Sequence, residues 1–126
     1  MLEVRLSAQL HPTEDKNKIA AAIRNIFPDA KLEGEHEFAG TASSLETFAE
    51  LLKKQRIRDA ARQTLRRGRT DNSTKFRLNK QVAFVGKVSF SEEIHPLGDI
   101  EVTIIADDLQ QVIDRVAPNT REELQR

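Results

Sequence analysis

Apolar and polar residues alternate strictly at the start of the chain. Leu2, Val4, Leu6, Ala8 and Leu10 interleave with Glu3, Arg5, Ser7 and Gln9, and that period of two predicts a half-buried strand. His11-Pro12 closes it. Thr13 is placed to cap a helix, and Glu14 and Asp15 suit the positive helix end. Ile19, Ala22, Ile23, Ile26 and Phe27 then recur at helical spacing until Pro28 stops them. A second strand is expected from about Lys31. Leu32 and Phe38 would face inward, and Lys31, Glu33, Glu35 and Glu37 outward.

Ser43 or Ser44 can cap the next helix, whose stripe is Leu45, Phe48, Ala49 and Leu52. The stripe then moves. Ile57, Ala60, Ala61 and Leu65 also fit a helix, but at 100° per residue they centre roughly 150° away. One straight helix cannot aim both stripes at one core, so a break is expected near Lys54–Arg56. Gly68 ends the second helix, and Thr70 to Thr74 read as a polar loop.

The even positions from Phe76 to Phe90 are apolar except at Gly86 and at Lys80, which Asn79 and Gln81 flank. Fifteen residues at ~3.3 Å each would span about 50 Å, too long for one strand in a small domain. A bend or bulge at 79–81 would let Lys80 leave the core side and carry its ammonium to water. His95-Pro96 and Gly98 mark a turn. Ile100, Val102 and Ile104 form a strand expected to pair with 82–90 as a hairpin. Asp107 or Asp108 caps a last helix containing Leu109, Val112, Ile113 and Val116, which Pro118 ends.

The expected order is β-α-β-α-α-β-β-β-α. It predicts an α+β two-layer domain, one mixed sheet with helices packed on it. Residues 1–118 would form a single domain, and 119–126 a frayed tail.

With 126 residues and no cysteine, the chain can bury one real core, and disulfides and thiolate sites are excluded. That composition suits a cytoplasmic location. The N-terminus has no long apolar run and reads as neither signal peptide nor membrane span. The net charge of zero conceals a strong polarity. Residues 53–87 carry twelve Lys and Arg against two Asp, or +10; the remainder carries 8 basic and 18 acidic residues, or −10. A surface built from the basic segment would concentrate anions, nucleic acid foremost.

Catalytic constellations are missing. His11 and His95 precede prolines, and the glutamates around His36 fall on the opposite strand face, where they cannot converge with it on a metal. No nucleophile elbow, Walker loop or dinucleotide fingerprint occurs. No cofactor or metal is implied.

The basic helix carries the strongest signal. Lys54, Arg58, Arg62 and Arg66 step by four and, with Arg69, share one arc. Like charges at that spacing repel, which points to an external anion, and a guanidinium fork suits phosphate. The competing reading is a solvated helix face. Lys75, Arg77, Asn79 and Gln81 line the odd face of the following strand, with Arg56 and Lys80 nearby. Asn and Gln amides suit base edges or 2′-hydroxyls. An exposed strand face explains the same residues without a ligand. No aromatic lies on that face, so stacking of splayed bases is not expected there.

The strings QRIRDAARQTLRRG (55–68), FRLNKQVAFVGKVSF (76–90) and PLGDIEV (96–102) resemble a family of small archaeal proteins of unassigned activity. The resemblance spans nearly the whole chain and includes Gln55, Arg56, Asp59, Ala60, Arg62, Asn79, Lys80, Gln81, Gly86, Gly98 and Ile100. It implies a ribosomal-protein-L-five-like α+β fold and RNA binding, with association with the archaeal exosome. It brings no catalytic residues. Together these features predict a non-catalytic RNA-binding protein for structured or duplex RNA. Its phosphate contacts would come from Arg58, Arg62, Arg66 and Arg69, helped by Lys54, Arg56, Lys75, Arg77 and Lys80, with Asn79 and Gln81 alongside. The alternative is a protein-interaction subunit or adaptor of an RNA-processing assembly. Sequence leaves self-association open.

Overall fold

The computed structural model describes residues 1–93 and 98–119. The alternating N-terminal segment forms β1 (Leu2–Gln9), and α1 (Lys16–Ile26) follows. The α1 cap is Asp15, whose carboxylate accepts the Asn17 N–H at 2.9 Å; Thr13, expected in that role, lies too far upstream. The single strand expected after Pro28 is a hairpin of β2 (Lys31–Glu33) and β3 (Glu37–Ala42). Gly34 makes the turn at φ 124, and a side chain there would collide with the Glu37 carbonyl.

That extra reversal decides the sheet type. A lone strand after α1 would run parallel to β1. The hairpin instead brings β3 back beside β1, with Val4 opposite Ala42 and Ala8 opposite Phe38. Every pairing among the described strands is antiparallel, so the mixed sheet expected from sequence is corrected. The α+β class itself holds.

The rotated stripe produces two helices, α2 (Glu46–Lys54) and α3 (Arg58–Arg67), and Arg56 turns the chain between them at φ 58. Phe48 and Leu52 are buried on the first, Ala61 and Leu65 on the second. Gly68 ends α3 as expected. The expected polar loop is a tight hairpin, β4 (Arg69–Thr70) and β5 (Ser73–Leu78), turning at Asp71 with φ 52.

The run 76–90 departs most from expectation. It breaks at the expected place, but a short helix, α4 (Lys80–Phe84), begins there. The Asn79 side chain caps it by accepting the Val82 N–H at 3.0 Å. The chain then doubles back: Ser89 O accepts the Asn79 N–H at 2.8 Å, and the Ser91 N–H reaches Arg77 O at 2.9 Å. The Gln55 amide holds this return, donating to Val88 O and accepting its N–H, both at 2.8 Å. The expected hairpin of 82–90 with Ile100–Ile104 is therefore absent. β6 (Ile100–Ala106) pairs with β5 and β1 instead, giving the order β2-β3-β1-β6-β5-β4. Asp108 caps α5 (Leu109–Val116). The His95-Pro96 turn lies outside the described residues, as does the expected tail beyond Asn119.

Even-numbered residues of β1, β3, β5 and β6 meet the helices in one core. Phe48 stacks between Phe27 and Phe76, with centroids 5.7 and 5.6 Å away. The odd-numbered face stays at the surface or half-buried.

Lys80 lies inside the molecule. Its side chain is 1% exposed. The ammonium donates to Gln9 O at 2.8 Å and to the Glu14 carboxylate at 3.2 Å. Glu14 also accepts the His11 N–H at 3.0 Å. The sequence-based expectation that Lys80 reaches water is overturned. The helix turns it inward beside Ala83, and the corner between β1 and α1 supplies a buried polar niche.

Candidate nucleic-acid interface

The arginine arc of α3 faces α5 along part of its length. Arg62 is the central case: its guanidinium donates to Asp114 at 2.7 Å and to the Ala117 carbonyl at 3.2 Å. That carbonyl follows the last turn of α5, where a cation is favoured by the unsatisfied C=O groups and the helix dipole. Arg69 donates to Gln110 at 2.8 Å and to the Asp71 carbonyl at 3.3 Å. At Arg62 the repulsion inferred from the i,i+4 arginines thus has an internal answer, supplied by Asp114 of α5.

Asp114 records the same contact. Its carboxyl titrates below the ordinary 3.8, mainly because of the Arg62 hydrogen bond and further through Gln110 and the charge of Arg66. A depressed carboxylate contributes stability above its unfolded-state value, lost as pH falls through the folded one. Replacing Arg62 with Met should therefore raise the Asp114 midpoint toward 3.8 in a carboxyl-carbon NMR titration. Freeing the Ala117 carbonyl should cost about 1 kcal/mol besides. An unmoved midpoint would show that another group holds Asp114.

The remaining expected residues separate. Lys54 is exposed in the last turn of α2, and Arg56 is exposed in the link to α3. Arg58 is half-buried, whereas Arg66, Arg69 and Lys75 are exposed. Arg77 is half-buried, with its guanidinium 3.4 Å from Glu92 O and 3.9 Å from Asp99. Asn79 serves as the α4 cap, which explains its amide without a base edge. Gln81 is exposed on α4. Lys80 is removed from any surface by its burial. The expected helix arc and strand face thus resolve into an Arg62 seam against α5, an interior lysine, a capping Asn79, and surface cations running from the end of α2 to β5.

Arg67 is an addition. It points off the α3 face opposite the seam, lining a groove with Lys75 and Phe90. Its angular offset from the arc of i,i+4 arginines hid it in the sequence. Among the described residues no cluster of acidic and histidine side chains could hold a metal ion, and no helix is long and apolar enough to cross a membrane.

Residues 3–106 match a family model described as RNA binding. A UPF0201 protein of Methanocaldococcus jannaschii is 47% identical over 129 residues, covering 95% of this chain and 75% of that protein. The chain belongs to the UPF0201 family. A UPF0200/UPF0201 protein of Archaeoglobus fulgidus is 41% identical over 125 residues, covering 96% of this chain but 39% of that longer protein. The crystal structure of a UPF0201 protein from Methanococcus jannaschii superposes with a TM-score of 0.86 at 46% identity, covering 93% of each chain. The UPF0201 architecture is thus that of the sheet and helices described above.

Proposed function

We propose that the protein binds RNA without catalysing a reaction on it, gripping phosphates with its surface cations. The observation that carries this reading is the match of residues 3–106 to an RNA-binding family model. The charge distribution supports it. Lys54, Arg56, Arg66, Arg67, Arg69 and Lys75 are exposed, and each adds positive potential to the same half of the chain. The neutral hydrogen bonds of Arg69 leave its charge available. Structured or duplex RNA is favoured over extended single strands, because the odd face of the sheet offers no aromatic row for successive bases. Arg62 and Lys80 support the surface from within and do not touch the ligand.

Anisotropy titration of a labelled 20-base-pair RNA duplex and a single strand of equal length tests this. Saturable binding of the duplex at 50 mM salt, tighter than the single strand, is the expected result. No binding of either would remove the RNA reading and bring forward a protein-interaction role for the same cations.

A further inference from the structure

A groove of about 730 Å³ runs along the outer edge of β5. Its walls are α3, with Thr64 and Arg67, and the return strand from Phe90 to Glu92. The volume falls within the usual range of small-molecule sites. We propose that this groove receives one unpaired nucleotide of a bound RNA. The proposal rests on the RNA reading above and adds a second kind of contact to it.

The backbone of β5 makes the first argument. Odd residues of this strand point their N–H and C=O groups away from β6. At one end the Lys75 N–H is taken by Gly68 O at 3.1 Å, and at the other the Arg77 carbonyl accepts from Ser91 at 2.9 Å. Between those closures the Arg77 N–H lies on the same edge as its carbonyl, facing the return strand and the groove. The Arg77 side chain leans toward Glu92 O and Asp99, away from its own amide. A backbone donor in a strand edge is a ready partner for an acceptor on a base.

The charges make the second. The groove is bipolar. Arg67 and Lys75 stand at the Gly68 end, and Glu92 and Glu101 at the other, where the Arg77 guanidinium is drawn toward Asp99. Lys75 and Arg77 are two strand residues apart, about 6.7 Å, close to the reach from a nucleotide's phosphate to its base. A purely anionic ligand would meet two carboxylates at the second end, and a cation would be repelled at the first. A nucleotide suits both: its phosphate meets Arg67 and Lys75, while its 2′-hydroxyl and exocyclic amine donate to carboxylates. The half-buried Phe90 ring lies in the same wall and gives the base an apolar contact. A paired base has these edges occupied, so the occupant must be unpaired.

Titration of 15N-labelled protein with adenosine 5′-monophosphate, its 2′-deoxy form and inorganic phosphate tests the groove. The ribonucleotide should shift the amides of Gly68, Arg77 and Phe90, the deoxy form several-fold more weakly. Phosphate should move only the Gly68 and Lys75 end. Anisotropy with an RNA duplex, with and without one extruded adenosine, tests the source. The extruded form should bind roughly tenfold tighter, the scale of one base on an aromatic ring. Phe90→Leu should abolish that gap and leave the paired duplex unchanged. Should Phe90→Leu fail to fold, Glu92→Gln must reduce the preference for ribose over deoxyribose. An Arg77 amide unmoved by millimolar ribonucleotide overturns the site. Equal binding of the two duplexes overturns the RNA occupant while leaving the phosphate-binding surface standing. Ribonucleotide binding without binding of either RNA overturns the RNA reading and leaves a site for free nucleotides.

Discussion

Glu14→Gln should destabilise the protein by about 3 kcal/mol or more, the scale for removing one partner of a buried ion pair. The substitution keeps the shape of Glu14 but takes its carboxylate charge from beside the Lys80 ammonium, whose side chain is 1% exposed. Gln9 O remains as an acceptor at 2.8 Å, but it carries no full charge. The large cost comes from the loss of the opposite charge beside a buried ammonium more than from any lost hydrogen bond. The double replacement Glu14→Leu with Lys80→Met removes both charges from the niche. It should recover most of the loss, because a buried pair repays little beyond its own desolvation. The lost acceptor for the His11 N–H leaves a residual cost of about 1 kcal/mol. Urea unfolding of the parent, the single and the double variant measures all three. A single variant within 0.5 kcal/mol of the parent, roughly the effect of an ordinary surface change, would show that the pair does not hold this corner.

Lys80 also shows where sequence reading stops. The even alternation from Phe76 to Phe90 is real, and it fits a strand up to Leu78. A helix of five residues is too short for period 3.6 to declare itself against period 2. Val82 and Phe84 therefore passed as strand positions, and Lys80 as an outward break. Its carboxylate partner is 66 residues earlier in the chain, beyond any local pattern. The partner of Arg62 was hidden for the same reason. The i,i+4 spacing of the arginines was legible, but Asp114 lies 52 residues from Arg62, so the repulsion seemed unanswered.

Features set by local chemistry were legible. The shift of the apolar stripe gave the break between α2 and α3. Alternation gave β1 and β6, and of the two expected caps, Asp107 or Asp108, the second starts α5. The β2–β3 hairpin was missed because GEHEF continues the polar-apolar rhythm of a strand. Only Gly34 hints at the reversal that makes the sheet antiparallel. The basic polarity of residues 53–87 was plain, but its division among seam, interior and surface depends on packing.

The division of the cations among seam, interior and surface has a direct consequence for RNA affinity. Reversing two surface cations, Arg66→Glu with Lys75→Glu, should weaken binding to duplex RNA at 100 mM salt by at least about tenfold, since phosphate contacts dominate affinity. Both side chains are exposed, so the fold should survive, as circular dichroism can verify. The loss should be similar for duplexes of different sequence, because backbone contacts carry no base information. Arg62→Met is the internal comparison: it removes a cation that already serves Asp114 and Ala117.

The most direct measurement is the salt dependence of duplex binding by these three proteins between 50 and 200 mM. With about five phosphate contacts, the parent should show a log–log slope of roughly −4, taking ~0.9 ions per contact from duplex DNA. The Arg66→Glu, Lys75→Glu protein should flatten to about −2 to −3, and Arg62→Met should keep the parent slope. A surface double variant with the parent's affinity and slope, beside an Arg62→Met protein that folds but loses both, would contradict the account. The seam would then be the RNA site.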